Sequence, residues 1–294
     1  MSTTDQAVDR SARPQGDGQP KVGSSASAFR AARAEGRGAL VGYLPVGYPS
    51  VAGSLEALRV LCGADGETPG VDLVEIGMPY SDPVMDGPVI QRAGTRALER
   101  GVRTADVFAA VEAVRSAGRP AVVMTYWNLV DRYGVDAFAR DLAAAGGSGL
   151  ITPDLVPDEA ADWLAASDAH GLDRVFLVSP SSTDARLAST TAAARGWLYA
   201  TSVMGVTGTR SASPTAAPEL VARVRRISPE TLIGVGLGVS TGDQAADVAG
   251  YADGVIVGSA FIKPLLAAEE AGTPADFRGL RAVVAELADG VRRS

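Results

Sequence analysis

Residues 71–100 read VDLVEIGMPYSDPVMDGPVIQRAGTRALER, and the pattern changes twice within this stretch. The apolar run over 71–77 has the length and the β-branched content of a buried strand. After a loop rich in proline and aspartate, apolar residues over 89–100 recur at helical spacing. A strand followed by a helix forms one βα unit, and repeated units of this kind build a parallel sheet.

The same change recurs along the whole chain. Strands are predicted over 39–46, 71–77, 121–126, 149–152, 174–178, 197–202, 232–236 and 254–257. Helices are predicted over 51–62, 89–100, 105–117, 135–145, 157–170, 184–194, 215–227, 241–249 and 261–271. Eight successive units predict an α/β fold, a closed (β/α)8 TIM barrel. A doubly wound open sheet is the weaker alternative, because no G-x-G-x-x-G sequence opens a helix after the first strand.

Two further helices and a polar tail flank the repeated units. An N-terminal helix over 27–34 and a C-terminal helix over 274–292 are expected to cover the outside of the barrel. Residues 1–23 offer almost nothing to bury, so we expect a disordered tail there. Residues 24–294 are predicted to form a single barrel domain, since no linker rich in proline, glycine and serine divides them.

Composition excludes several classes of function. The chain has 294 residues and a net charge of -7, which opposes binding to nucleic acid or to an anionic membrane. One cysteine, Cys62, cannot form an internal disulfide, and no long apolar run is present, so we expect a cytoplasmic protein. His170 is the only histidine in the sequence, so a histidine-rich metal site cannot form and a Ser-His-Asp triad has only one candidate histidine. Lys263 is the one lysine inside the folded region that could form a Schiff base.

Active sites of such barrels lie in loops at the carboxyl ends of the strands. Glu75 interrupts an apolar strand there, so burial should raise its pKa and suit it to acid–base catalysis. An ion pair inside the barrel is an equally weighted alternative for this glutamate. Asp86, in the sequence MDGP, is interpreted from its context as a turn residue, and Asp82 before a proline even more so.

Three other segments suggest ligand contacts. The loop YATSVMGVTGTR, residues 199–210, suits a lid that brings Thr207 toward a catalytic carboxylate, although such loops are more often plain connections. The sequence GVGLGVS, residues 234–240, and the pair Gly258-Ser259 favour a phosphate site over ordinary tight turns. Trp127, in MTYWN, could wall a pocket for a flat aromatic ligand.

Several of these strings together resemble one family. They are VEIGMPYSDPVMDGPVIQ (74–91), MTYWN (124–128), YGVDAFARDLAAAG (133–146), GVTGTR (205–210), and GVGLGVS with VGSAFIK. The chain resembles the α subunit of tryptophan synthase from about residue 27 to residue 290. The resemblance implies a (β/α)8 barrel that cleaves indole-3-glycerol phosphate to indole and glyceraldehyde 3-phosphate.

The resemblance also implies roles for individual residues. Glu75 matches the glutamate that protonates indole C3, and Asp86 matches the aspartate that accepts a hydrogen bond from the indole N–H. Tyr199 matches a tyrosine near the glutamate, and Tyr43 falls where an aromatic or apolar residue lines the indole pocket. The closing loop is matched by Thr207 with Gly208, and the phosphate-binding residues by Gly208, Gly238, Gly258 and Ser259. Two segments depart from the usual pattern: Leu129 replaces a proline, and Val203-Met204 replaces a version of the loop with arginine.

The cofactor and the partner follow from the same resemblance. It implies no cofactor and no metal in this chain, because pyridoxal phosphate belongs to the β subunit, and it implies an αββα heterotetramer in which indole passes to that subunit. Three alternatives remain open at this stage. They are a chain that chiefly regulates its partner, a free-standing indole-producing lyase, and another phosphate-binding barrel such as the synthase that makes indole-3-glycerol phosphate. The scarcity of lysine argues against the last of them.

Overall fold

The computed structural model describes residues 25–201, 215–236 and 238–293. The strands among these residues are β1 Ala39–Pro45, β2 Leu73–Gly77, β3 Ala121–Met124, β4 Gly149–Ile151, β5 Asp173–Val175, β6 Leu177–Val178, β7 Leu198–Thr201, β8 Ile233–Gly236 and β9 Gly254–Val257. They form one parallel sheet in the order β5-β4-β3-β2-β1-β9-β8-β7-β6. The two edge strands of this order, β5 and β6, are separated in sequence only by Phe176. The two edges of the sheet therefore lie side by side, and the sheet closes into a barrel. The prediction of a (β/α)8 barrel is confirmed, with the fifth predicted strand divided in two.

Helices follow the strands as the pattern predicts. They are α1 Ala26–Ala34, α2 Val51–Leu61, α3 Pro88–Glu99, α4 Thr104–Ser116, α5 Trp127–Tyr133, α6 Val135–Ala144, α7 Ala161–His170, α8 Asp184–Ala193, α9 Ala216–Ile227, α10 Gly242–Ala249, α11 Ser259–Glu270 and α12 Arg278–Gly290. Helix α5 is absent from the predictions because it is too short to display a helical period. Gly134, with φ 97°, separates it from α6. In the part of the chain that the structure describes, none of the helices has the length and apolar character needed to cross a membrane.

The N-terminal helix lies in a different place from the one the sequence predicts. Phe29 of α1 packs with Trp197 and with the inward-facing strand residues Val41, Leu73 and Ile256. The expectation that this helix covers the outside of the barrel is therefore wrong: α1 closes the end where the strands begin. The physical reason is that a barrel interior open at its base would expose apolar side chains, and the small, apolar face of α1 covers them.

The C-terminal helix does lie outside, where the sequence places it. Helix α12 packs against α2, α10 and α11. Between the helices and the sheet lies an outer core to which Leu40, Val74 and Val123 contribute. Because the strands are covered on both faces, their sequences are almost continuously apolar, and a charged residue within one of them is conspicuous.

Candidate active site

Glu75 breaks this pattern within β2, as Asp173 and Arg174 do at the start of β5. It lies in the middle of β2, where side chains alternate so that Val74 and Ile76 face the outer core and Glu75 faces the interior. Its Cα pairs in register with that of Tyr43 on β1. The side chain is 1% exposed, and its Oε2 atom has no hydrogen-bond partner among the described residues. A buried carboxyl oxygen without a partner is costly in a folded protein and indicates a group kept for a ligand.

The surroundings of Glu75 keep it protonated near neutral pH. Burial, with a smaller contribution from the negative charge of Asp86, raises the pKa of Glu75 to about 8. Burial acts in this direction because a charged carboxylate loses its hydration in the interior. Among the described residues no basic group acts on this pKa, so the alternative of an interior ion pair finds no partner there. Glu75 is therefore suited to donate a proton.

Asp86 supplies the second carboxyl group. It lies in the loop after β2, one residue before Gly87, the N-cap of α3. Burial raises the pKa of Asp86 to about 6, although the hydroxyl of Tyr126, 3.5 Å from Oδ1, acts in the opposite direction. The group is thus largely ionised at neutral pH, where Glu75 is not. Two carboxyl groups whose pKa values differ in this way can act as an acid and a charge-stabilising base in one reaction.

The turn interpretation separates the two aspartates of this loop. The backbone carbonyl oxygen of Asp86 accepts a 2.8 Å hydrogen bond from Gln91 Nε2 on α3. The Asp86 side chain faces the Tyr126 hydroxyl and contributes to the raised pKa of Glu75. Asp82 is exposed, and its carboxylate accepts a 2.6 Å hydrogen bond from the neighbouring Ser81 hydroxyl. The exposed position of Asp82 in a bend agrees with the turn interpretation, whereas the burial that raises the pKa of Asp86 is not expected of a turn residue.

Two tyrosines enclose the carboxyl pair. Burial raises the pKa values of Tyr43 and Tyr199 well above the usual range, and the charges of Glu75 and Asp86 add to the effect for both. Both phenols therefore stay protonated and can donate hydrogen bonds. Glycine on a neighbouring strand makes room for Tyr199, since a Cβ at Gly236 would lie 2.5 Å from its hydroxyl oxygen.

A candidate anion site lies beside Tyr43. Gly258 alone connects β9 to α11, so the N-terminus of that helix, beginning at Ser259, opens at the carboxyl end of the barrel. Gly238, with φ 69°, lies in the loop after the adjacent strand β8. A Cβ at Gly258 would lie 3.4 Å from Cδ1 of Tyr43, so this helix N-terminus adjoins the tyrosine pocket. Unpaired backbone N–H groups at a helix start suit a phosphate group.

Part of the predicted site lies outside the described residues. This part comprises Thr207, Gly208 and the rest of the predicted lid over 203–212, and the predicted tail over 1–23 lies outside them as well. The arrangement above therefore rests on Glu75, Asp86 and the residues around them.

Tyr126 is a site residue that is absent from the sequence-based predictions. Its hydroxyl accepts a 3.1 Å hydrogen bond from the Met85 N–H and lies next to Asp86, and its ring stacks on Tyr80 with centroids 5.0 Å apart. The sequence pattern favoured Trp127 instead, which packs toward the outer core at the start of α5. The alternation of β3 could have identified the right residue, because Tyr126 continues the inward-facing series of Val122 and Met124.

The scarce residues lie away from this chemistry. Lys263 is exposed on α11, so it lacks the desolvation that a Schiff-base lysine requires. His170 stands in the last turn of α7, before Gly171 with its left-handed φ of 70°, as the helix-end interpretation predicts. Cys62 is a buried packing residue, as expected. Within the described ranges no group of three or more histidine, cysteine, aspartate and glutamate side chains could hold a metal ion.

The raised pKa of Glu75 predicts a pH-dependent stability difference. Between pH 4.5, the ordinary pKa, and about 8, the folded chain keeps a proton on Glu75 that the unfolded chain releases. The free energy of unfolding should therefore fall as pH rises through this window, by up to about 1.4 kcal/mol per pH unit. Glu75→Gln lacks this loss. In denaturant titrations the free energy of unfolding of the variant should therefore rise relative to that of the wild type from pH 5 to pH 8, and the difference should stay constant above pH 8.

The matched control is Glu112→Gln, which changes an exposed glutamate on α4. Its stability difference from the wild type should stay constant across the same pH range. A Glu75→Gln difference that is equally constant would contradict the raised pKa.

A closed barrel with an acid and a carboxylate at its carboxyl end, beside a helix N-terminus suited to phosphate, defines an acid–base enzyme acting on a phosphorylated small molecule. The family model described as tryptophan synthase alpha chain matches residues 29–291. The chain belongs to this family, whose reaction is the lyase cleavage of indole-3-glycerol phosphate in tryptophan biosynthesis. The resemblance found in the sequence is thereby confirmed.

Individual relatives agree over nearly their whole length. The tryptophan synthase alpha chain of Salinispora tropica is 60% identical over 265 residues, which cover 90% of this chain and 96% of that protein. The corresponding protein of Mycobacterium marinum is also 60% identical over 265 residues, with 90% and 93% covered. A structure of Mycobacterium tuberculosis tryptophan synthase superposes with a TM-score of 0.83 at 57% identity, covering 92% of this chain and 99% of that one. The alternative of the synthase that makes indole-3-glycerol phosphate is not favoured.

Proposed function

We propose that Glu75 and Asp86 carry the cleavage of indole-3-glycerol phosphate, and that the chain does so as the α subunit of an αββα complex. The observation that carries the proposal is the buried carboxyl pair, in which Glu75 has a pKa of about 8 and Asp86 one of about 6. At neutral pH the first holds a proton and the second holds a negative charge. Cleavage of the substrate requires both the proton on Glu75 and the negative charge on Asp86.

The first step is protonation of the indole ring. Glu75 donates its proton to C3, and the electron pair for the new C–H bond comes from the ring, which leaves a positive charge on the indole nitrogen. Asp86 accepts a hydrogen bond from the indole N–H and stabilises that charge. In a site from which water is largely excluded, such a charge interaction is much stronger than in solution.

The second step breaks the carbon–carbon bond. The Glu75 carboxylate formed in the first step removes the proton from the hydroxyl on the side-chain carbon bonded to C3. The oxygen electrons form the aldehyde of glyceraldehyde 3-phosphate, and the electrons of the broken bond return to the ring and neutralise its charge. Glu75 ends protonated, as it began, so the step requires neither a lysine imine nor a metal ion.

The remaining residues hold the substrate. Tyr43 lines the indole pocket, and Tyr199 lies beside the carboxyl pair. The phosphate group binds at the start of α11 and in the loop after β8, to Gly238, Gly258 and Ser259. In this proposal Gly208 also binds the phosphate group, and Thr207 belongs to the loop that closes over the substrate.

The complex explains what becomes of the indole. We infer that indole passes to a β subunit, where pyridoxal phosphate and serine complete the synthesis of tryptophan. This chain itself needs no cofactor, and a cytoplasmic location follows from the same role. The M. tuberculosis structure to which the chain is similar is described as tryptophan synthase.

The test combines the purified full chain with indole-3-glycerol phosphate, with and without a β subunit and serine. Release of indole or tryptophan should rise on addition of the β subunit and should depend on Glu75. Equally fast turnover without the partner would instead favour a free-standing lyase. Absence of Glu75 dependence in both mixtures would refute the proposed roles.

A further inference from the structure

Three aromatic side chains form a continuous stack inside the barrel. Phe29 of helix α1 packs on Trp197 with ring centroids 5.0 Å apart, and Trp197 stacks on Tyr199 at 6.0 Å with planes 27° apart. Trp197 and Tyr199 are two residues apart at strand β7, so both face inward. We call these three residues the aromatic column. It runs from helix α1, which closes the base of the barrel, to Tyr199 on β7.

Glycines on the neighbouring strands provide the space that the column occupies. A Cβ at Gly254 would lie 2.5 Å from Cε1 of Phe29, and one at Gly234 would lie 2.9 Å from Cζ3 of Trp197. These two glycines are paired in register between β8 and β9, so together they form one groove. Neither has a positive φ, and the residue is therefore needed at both positions for space and not for backbone conformation.

Packing and one polar anchor hold the column in place. Trp197 is buried, and its Nε1 atom has no hydrogen-bond partner among the described residues. Its orientation there depends on contacts with Phe29 and the glycine groove. Phe29 in turn is held by the start of α1, where the N–H of Ser25 donates a 3.0 Å hydrogen bond to Asp173 and the Ser25 hydroxyl donates another.

Tyr199 is the member of the aromatic column that lies on the side of the candidate catalytic residues. Tyr199 packs against the same inner cluster as Leu73, which precedes Glu75 by two residues on the inward face of β2. In keeping with this placement, the charge of Glu75 contributes, after burial, to the raised pKa of Tyr199. Moving the Tyr199 ring would open space beside the carboxyl group and admit water. Because burial is what keeps Glu75 protonated near neutral pH, its proton affinity depends on how firmly that ring is held.

We propose that Phe29 and Trp197 are positioning residues for the lyase reaction, which fix Tyr199 beside Glu75 through a stack that begins at helix α1. The inference rests on the proposed role of Glu75. Neither residue touches the substrate, so shortening the column should lower kcat much more than it raises KM. It should also lower the pKa of Glu75 and thereby move the alkaline limb of the pH profile to lower pH.

The experiment compares Phe29→Leu and Trp197→Leu with Trp197→Phe and with Phe138→Leu, in the full chain with β subunit and serine. Phe138→Leu is the matched control, because Phe138 is equally buried but packs in the outer core against Phe108 and Tyr133. We expect the two column variants to lose about tenfold or more in kcat and to shift the alkaline limb. Trp197→Phe, which keeps a ring in the stack, should retain most of both properties.

Loss of folding is separated from loss of positioning by the melting temperature and by Ser25→Ala. Phe29→Leu and Phe138→Leu should lower the melting temperature comparably, and only the former should shift the limb. Ser25→Ala loosens the anchor and leaves the column intact, so a smaller shift in the same direction is expected. The inference is overturned if wild-type activity depends on Glu75 while the column variants match Phe138→Leu. If the wild type lacks that dependence, the proposed function itself fails first.

Discussion

Glu75→Gln is expected to lower kcat for cleavage of indole-3-glycerol phosphate by about 10²–10⁴-fold, which is the usual contribution of a positioned general acid. The substitution keeps the size of the side chain but removes the proton that indole C3 receives. It also removes the carboxylate that would later accept the hydroxyl proton, so both chemical steps are affected. Because Glu75 lies within β2, whereas the described candidate phosphate residues lie after β8 and β9, KM should change little.

The control for this prediction is Glu112→Gln, an identical change on the exposed side of α4. It should leave kcat within about twofold of the wild type, as is common for surface substitutions. Glu75→Asp provides a graded comparison, since it keeps the acid but withdraws it by one methylene group. An activity of Glu75→Gln close to that of the control, measured as indole release with the β subunit present, would remove Glu75 from the mechanism.

Much of this site was predictable because its signals are local. A glutamate within an apolar run is conspicuous in any parallel strand, so the residues around Glu75 are enough to identify it as a desolvated acid–base candidate. Glycine followed by serine at the start of a helix is a similarly local signal, and Gly258 with Ser259 does open α11 at the carboxyl end of the barrel.

Other features depend on distant parts of the chain, so local patterns did not reveal them. Asp86 has the sequence context of a turn residue, and its raised pKa comes from burial by the surrounding fold. The position of α1 under the barrel is decided by what its apolar face can cover, and a short amphipathic helix has the same pattern in either place. The division of the fifth strand at Phe176 is likewise a matter of pairing between neighbours and leaves no trace in the apolar pattern.

The glycines of β8 show how a residue's role depends on side chains from distant parts of the sequence. The sequence of 234–240 favours a phosphate site, although residues 232–236 also have the pattern of a strand. In the structure Gly234 and Gly236 instead accommodate the rings of Trp197 and Tyr199. Gly238, with its positive φ, is the glycine of that stretch that lies in the loop after β8. One glycine-rich string thus contains two kinds of glycine, which only the residues packed across the barrel distinguish.

Asp86→Asn should lower kcat by about 10²–10³-fold, the typical cost of removing a group that stabilises charge in a transition state. The amide can still accept a hydrogen bond from the indole N–H, but it carries no negative charge to balance the protonated ring. Wild-type kcat should be bell-shaped in pH, with limbs that belong to the coupled pair and lie near the pKa values of about 6 for Asp86 and about 8 for Glu75.

The pH profile of Asp86→Asn separates an electrostatic role from a structural one. The acid limb should disappear, because no carboxyl group at this position remains to be protonated. The alkaline limb should move to lower pH, because the negative charge that helps to raise the pKa of Glu75 is gone. Asp82→Asn makes the same change at an exposed position of the same loop and should leave both limbs in place. A profile of Asp86→Asn with both limbs unmoved would mean that Asp86 only shapes the loop, since a turn residue has no reason to control the ionisation of a buried glutamate.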